Sequence, residues 1–189
     1  MVLKITMISV ICSFFTLFIS AQDVKDLPFR QRLFFGGDLG LSFGTTTYIH
    51  LAPIVGYRFT DRLAAGLGPI YIFEKSNYYH YKTSTYGAKA IMSFAVIKNV
   101  DEYLNIGVGN ILLHAENEII NVQLMDYDPT SGMIYARDER FWIDNLLLGG
   151  GLNFPFGGNA GIDIYILWDI TQNDYSPYSN PVIRLGFYF

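Results

Sequence analysis

Leu33-Phe34-Phe35-Gly36-Gly37-Asp38-Leu39-Gly40-Leu41-Ser42-Phe43-Gly44 is the stretch from which the fold is read. Its odd positions carry Phe35, Leu39, Leu41 and Phe43 with Gly37 among them, and its even positions carry Gly36, Asp38, Gly40 and Ser42. Neighbouring side chains of a strand point to opposite faces, so this segment has one apolar face and one small, polar face. A strand with lipid on one side and a crowded polar lumen on the other needs this pattern. A closed ring of such strands satisfies every backbone group in the membrane.

Working outward, the same alternation recurs seven times. Residues 48–59 set Ile49, Leu51, Pro53, Val55, Tyr57 and Phe59 against His50, Ala52, Gly56 and Arg58. Pro53 removes a ladder donor and predicts a local pairing defect. After the turn Thr60-Asp61-Arg62, residues 63–74 set Leu63, Ala65, Leu67, Pro69, Tyr71 and Phe73 against Ala64, Gly66, Gly68 and Glu74. The fourth segment sets Tyr86, Ala88, Ala90, Met92, Phe94 and Val96 against Gly87, Lys89, Ile91, Ser93 and Ala95. The fifth is expected to start at Tyr103 with Leu104, Ile106 and Val108 outward, and to lose parity at 110–113 through a β-bulge. The sixth, residues 141–154, is the least regular, with Leu146, Leu148, Leu152 and Phe154 opposite Asn145, Gly149, Gly151 and Asn153. The seventh sets Ile162, Ile164, Ile166, Trp168 and Ile170 against Gly161, Asp163, Tyr165 and Asp169. The eighth sets Pro181, Ile183, Leu185, Phe187 and Phe189 against Arg184, Gly186 and Tyr188.

Short turns near Asp61, Asn99 and Gly157 alternate with long polar connections at 75–85, 117–140 and 171–179, and only the connection at 45–47 breaks the rule. Alternation of short and long connections belongs to a barrel whose ends share the periplasmic side. The expected fold class is therefore all-β, an eight-stranded antiparallel up-and-down transmembrane β-barrel over residues 33–189.

Residues 1–21 place Lys4 before an apolar run over 5–19 and end in Ser20-Ala21 before the polar Gln22-Asp23. That reads as a secretory signal peptide cleaved after Ala21, its apolar core being shorter than the roughly 20 residues of a spanning helix. Residues 22–32 then form an N-terminal periplasmic segment. The single cysteine, Cys12, falls inside the signal, which leaves the mature chain without a disulfide framework or a thiolate metal site. Loss of Lys4 leaves 12 basic against 17 acidic residues, a net charge of −5 that suits no nucleic-acid partner. Hydrophobic residues make up 51% of the chain and aromatic ones 16%, at a mean hydropathy of +0.25, yet no stretch after Ala21 can form a spanning helix. A secreted β-sandwich shares the alternation but rarely this density of aromatic residues at strand ends.

Ile183-Arg184-Leu185-Gly186-Phe187-Tyr188-Phe189 is a strand with a terminal phenylalanine and apolar Ile183, Leu185 and Phe187 at alternate positions before it. It resembles the C-terminal assembly signal of outer-membrane barrels. With the strand count, it makes the chain similar to small barrels of the OmpX type and to the OmpA membrane domain. Through Gly56-Tyr57-Arg58-Phe59-Thr60-Asp61-Arg62-Leu63 and Asp174-Tyr175-Ser176-Pro177-Tyr178-Ser179-Asn180-Pro181 it resembles more closely a Bacteroidota-type group of outer-membrane β-barrel domain proteins. The resemblance implies outer-membrane residence, insertion by the barrel-assembly machinery and no catalytic residues to carry over.

Inward charges expected to pair into a structural network are Asp38, Arg58, Glu74, Lys89, Asp163, Asp169 and Arg184. Eight strands enclose only enough room for side chains, which argues against a general diffusion porin. His114, Glu116 and Glu118 alternate and so share a face, a geometry open to metal ligation. No second histidine or cysteine is placed beside them, so a solvated strand above the membrane is the reading adopted, without metal or other cofactor. Ser42, His50, His114 and Asp38 hold the ingredients of a hydrolase, but no local spacing unites them. Tyr48, Tyr71, Tyr78, Tyr79, Tyr81, Tyr86, Trp142 and Trp168 read as an interfacial girdle rather than a carbohydrate platform. Residues 116–124 and 133–142 both read as extended, around the turn-rich Asp126-Tyr127-Asp128-Pro129-Thr130-Ser131-Gly132, which predicts a protruding hairpin at 116–142 with an edge for a surface partner. The function expected is that of a non-enzymatic outer-membrane barrel with an envelope-structural or surface-binding role. A small selective channel and a lipid-modifying hydrolase are the alternatives.

Overall fold

The computed structural model describes residues 28–189 except 79–80, 130–132, 158–159, 172 and 174. The expected signal peptide, most of the segment 22–32, and Tyr79 and His80 lie outside the described residues. One helical turn, α1 (Phe29–Arg32), leads into β1 (Leu33–Ser42), β2 (Thr46–Arg58), β3 (Leu63–Ser76) and β4 (Tyr81–Lys98). A second turn of helix, α2 (Val100–Leu104), precedes β5 (Asn110–Asp128), β6 (Met133–Gly157), β7 (Ala160–Asp169) and β8 (Val182–Tyr188). Each strand pairs antiparallel with its chain neighbours and β8 returns to β1, giving a closed up-and-down barrel of eight strands.

The period-two pattern explains the two faces. On β2, Ala52, Ile54 and Gly56 are buried while Leu51, Pro53 and Val55 are exposed, and β7 buries Tyr165, Leu167 and Asp169 while Ile164, Ile166 and Trp168 stay outside. The large exposed apolar side chains, Leu41, Val55, Leu67, Val96, Ile166 and Ile183 among them, cover the outer wall. Glycines on the inner face make room for aromatic rings. A Cβ on Gly56 would stand 2.0 Å from the Phe34 ring, and one on Gly151 would stand 2.3 Å from that of Tyr165. Pro53 acts as its chemistry predicts. The β2–β3 ladder stops at Leu51↔Tyr71 and resumes at Val55↔Leu67, so Pro53 and Pro69 sit in a gap between the two strands.

Three expectations are corrected. The apolar alternation at 104–108 is not the start of β5 but belongs to α2 and the turn after it, bounded by Asn99 and Asn105 in left-handed backbone at φ 54° and 49°. Asp101 Oδ1 accepts the Gly107 amide at 2.6 Å, and Val100 and Val108 are buried beneath the turn. The parity slip also falls on the other strand. Val96 of β4 bulges as the ladder steps from Ala95↔Leu112 to Ile97↔Ile111, so against β4 the strand β5 runs regularly from Asn110 to Asn121. The sixth strand, expected over 141–154, is longer and forms a regular ladder with β5 apart from one shift between Gln123 and Met125.

β5 and β6 overtop their neighbours. The last β4–β5 pair is Tyr86↔Asn121 and the first β6–β7 pair is Leu147↔Asp169, whereas β5 and β6 stay paired out to Asp128↔Met133. The seam is the opposite case. Only Gly36↔Tyr188, Gly37↔Phe187 and Asp38↔Gly186 join β1 to β8, extended by Phe35 and Phe189, which exchange amide bonds of 3.0 and 2.8 Å. Beyond Asp38 and Gly186 the two strands part around a cleft of ≈ 420 Å³ lined by Leu39, Gly40, Ile183 and Leu185, with His50, Tyr178 and Arg184 at its back.

Candidate functional site

The inner face of β1, β2, β4, β5 and β8 gathers charge at the centre of the lumen. Lys89 Nζ lies 2.6 Å from Asp38 Oδ2, 2.8 Å from Glu116 Oε2 and 3.7 Å from Glu118 Oε1. Arg184 closes the other side, with Nη2 at 2.9 Å from Glu118 Oε1 and Nε at 3.5 Å from Glu116 Oε2. Two cations thus face three carboxylates. Lys89 and Glu118 are 1% and 0% exposed, a burial that isolated charges would not tolerate and that pairing offsets.

The histidines extend the network at both ends. His50 Nδ1 lies 3.0 Å from Asp38 Oδ1, and its Nε2 lies 3.4 Å from Arg184 Nη1. A guanidinium only donates, so Nε2 accepts and Nδ1–H points to Asp38. His114 Nε2 lies 3.1 Å from Glu116 Oε1, and its Nδ1 lies 2.6 Å from Ser93 Oγ. The His114 ring also stacks on Tyr165 with centroids 3.9 Å apart.

Tyr178 descends into the lumen from the connection between β7 and β8. Its hydroxyl donates to Glu118 Oε2 at 2.5 Å, its ring lies 4.7 Å from Arg184 Cζ, and it packs against both apolar clusters of the lumen. Burial and then the Glu118 carboxylate push this phenol well above its ordinary pKa, which keeps it a neutral donor. One apolar cluster is Ala52, Ile70, Ile72, Ile120, Val122 and Ile143, and the other is Leu147, Tyr165, Leu167 and Val182.

Of the seven charges expected to form a network, Asp38, Lys89 and Arg184 meet. The other four do not join them, because strand stagger puts them at other heights. Arg58 lies near the short-turn end with its guanidinium 5.8 Å over the Phe34 ring. Glu74 accepts from Tyr81 near the opposite end. Asp163 takes bonds from Asn153 at 2.6 Å and Tyr165 at 2.8 Å below the network. Asp169 organises the connection between β7 and β8, accepting from the Thr171 amide at 3.0 Å and from Ser176 Oγ at 2.7 Å.

The placement of His114, Glu116 and Glu118 on a solvated outer strand is also corrected, since all three are 2% exposed or less and point into the lumen. Once β5 is started at Asn110, their even parity continues that of Leu112, and the sequence does carry the signal. Among the described residues no group of three or more His, Cys, Asp or Glu is arranged to hold a metal ion, because Lys89 and Arg184 occupy the space between the carboxylates. The side chain of Ser42 lies outside the described residues, and the serine that meets His114 is Ser93. No family model and no curated protein matches the chain.

Proposed function

We propose that the chain is an exported outer-membrane barrel with a plugged lumen that serves the envelope structurally and presents a binding element at the cell surface. One observation carries this reading, the inversion of sides: Lys89, Glu116 and Glu118 are sealed inside while Leu67 and Ile183 are 70% and 72% exposed on the outer wall. A water-soluble protein gains nothing from that arrangement, whereas lipid around the wall removes its cost. The apolar Ile183, Leu185, Phe187 and Phe189 support delivery by the barrel-assembly machinery. The decisive experiment is a heat-modifiability gel on fractionated envelopes. The folded protein is expected in the outer-membrane fraction, migrating differently before and after boiling, and recovery from cytosol or inner membrane would overturn the reading.

The surface element is the β5–β6 hairpin. Residues 133–145 of β6 form no ladder with β7, which leaves an edge of backbone donors and acceptors suited to pairing with a partner strand. Arg137 at the hairpin bridges Asp126 at 2.7 Å and stands 3.9 Å from Glu139, so the tip is polar and solvated.

A further inference from the structure

The β4–β5 register sets Ser93 directly opposite His114, and Glu116 projects from the same face two residues along. Ser93 Oγ, His114 and Glu116 therefore form an unbroken relay, with separations of 2.6 Å and 3.1 Å. The relay has a direction. Its carboxylate and imidazole ends are buried, but Ser93 is only partly covered and lines a cleft of ≈ 800 Å³ that opens past Thr60, Asp61 and Arg62 at the short-turn end of the barrel. A polar bridge needed only for packing has no reason to end in a hydroxyl at an opening.

We propose that Ser93 is a nucleophile, with His114 its general base and Glu116 the group that orients His114, and that the cleft accepts a short acyl ester. This goes beyond the structural role proposed above and adds a chemical one. The three groups have the mutual geometry of an activated nucleophile: hydroxyl on base, base on carboxylate, hydroxyl open to a ligand. Here Nδ1 faces the serine and Nε2 the carboxylate. Glu116 holds the proton on Nε2, leaving the Nδ1 lone pair to receive that of Ser93. Lys89 and Arg184 fasten Glu116 through Oε2 and leave Oε1 to His114, while the Tyr165 ring fixes the imidazole plane. Ala64, Ile91, Ala95 and Leu112 offer an apolar wall for the acyl chain, the ion network above limits its length, and Arg58 sets a cation on the same cleft.

In the reaction, Ser93 Oγ bonds to the acyl carbon as its proton passes to His114 Nδ1. The ester C–O bond then breaks and the leaving alkoxide takes that proton. Water repeats the sequence on the acyl-serine, releasing the carboxylic acid and restoring Ser93, so ester and water become acid and alcohol.

The test uses the full mature chain folded in detergent micelles, with folding verified by heat modifiability. A fluorophosphonate probe is expected to modify Ser93, located by peptide mass analysis, and p-nitrophenyl acetate to be hydrolysed. Ser93→Ala should bring hydrolysis to the rate without protein, and Glu116→Gln should slow it by about 10²-fold or more and shift its pH profile. Because Cys12 lies in the signal, Ser93→Cys places a single thiol in the mature chain. That thiol should be alkylated at neutral pH about tenfold faster than in the double variant that also carries His114→Gln. A folded barrel left unmodified at Ser93, an active Ser93→Ala variant, or equal alkylation rates would each overturn the assignment.

Discussion

Lys89 illustrates how one side chain organises a lumen. It reaches Asp38 on β1 and both glutamates on β5, so its loss would leave three buried carboxylates with Arg184 alone. Lys89→Met should lower stability by about 3–5 kcal/mol, read as a shift in the urea midpoint of the barrel in lipid vesicles. Tyr178→Phe removes only the hydroxyl that bonds Glu118, and a smaller loss of about 1.5–3 kcal/mol is expected in the same assay. Gly151 tests packing without charge. Its missing Cβ is the space taken by Tyr165, with Ile164 O only 2.7 Å from the same point, so Gly151→Ala should cost about 1–3 kcal/mol.

At the scale of strands, the sequence states clearly which side chains face inward, because a period of two leaves only two choices. It says much less about how far each strand slides along the next. Asp38 and Lys89 are 51 residues apart and meet, while Glu74 and Asp169, equally inward by parity, stand near the end that carries the long connections. Stagger is set by turns and bulges, and a turn can imitate a strand: Leu104, Ile106 and Val108 alternate like one, yet Leu104 ends a helical turn closed by Asn105 and the other two follow it. The hairpin was legible because β-prone residues simply continue on both sides of a turn-rich stretch. Its base is fixed by the burial of Val122 in an apolar cluster and by the hold of Arg140 on Asn121 Oδ1 at 2.6 Å. Met125↔Ala136 is a paired position above both, so residues 126–135 can be replaced by a two-residue Asn-Gly turn. The shortened barrel should keep its heat-modifiable mobility and lose binding to a surface partner in whole-cell pull-downs. Unchanged binding would exclude the hairpin as the interface.

Across the whole molecule, the lumen is layered along its axis. The ion network and Tyr178 fill its centre with apolar clusters beside them, and none of Asp38, Lys89, Glu116, Glu118 and Arg184 lines the ≈ 800 Å³ cleft. Planar-bilayer recordings should therefore show no steady conductance from the intact protein. Stable single-channel steps would favour the selective channel instead.

The short ladder between β1 and β8 has a consequence in time as well as in space. A ring is held shut only as long as its least-bonded joint, and here three ladder pairs and the Phe35–Phe189 exchange carry that duty. Deuterium should accordingly enter the seam-facing amides of β8 above Gly186 well before those shared by β3 and β4, whose ladder runs unbroken from Leu63↔Phe94 to Ser76↔Tyr81. The first and last strands would then mark the fastest clock of opening, along a single line in the wall.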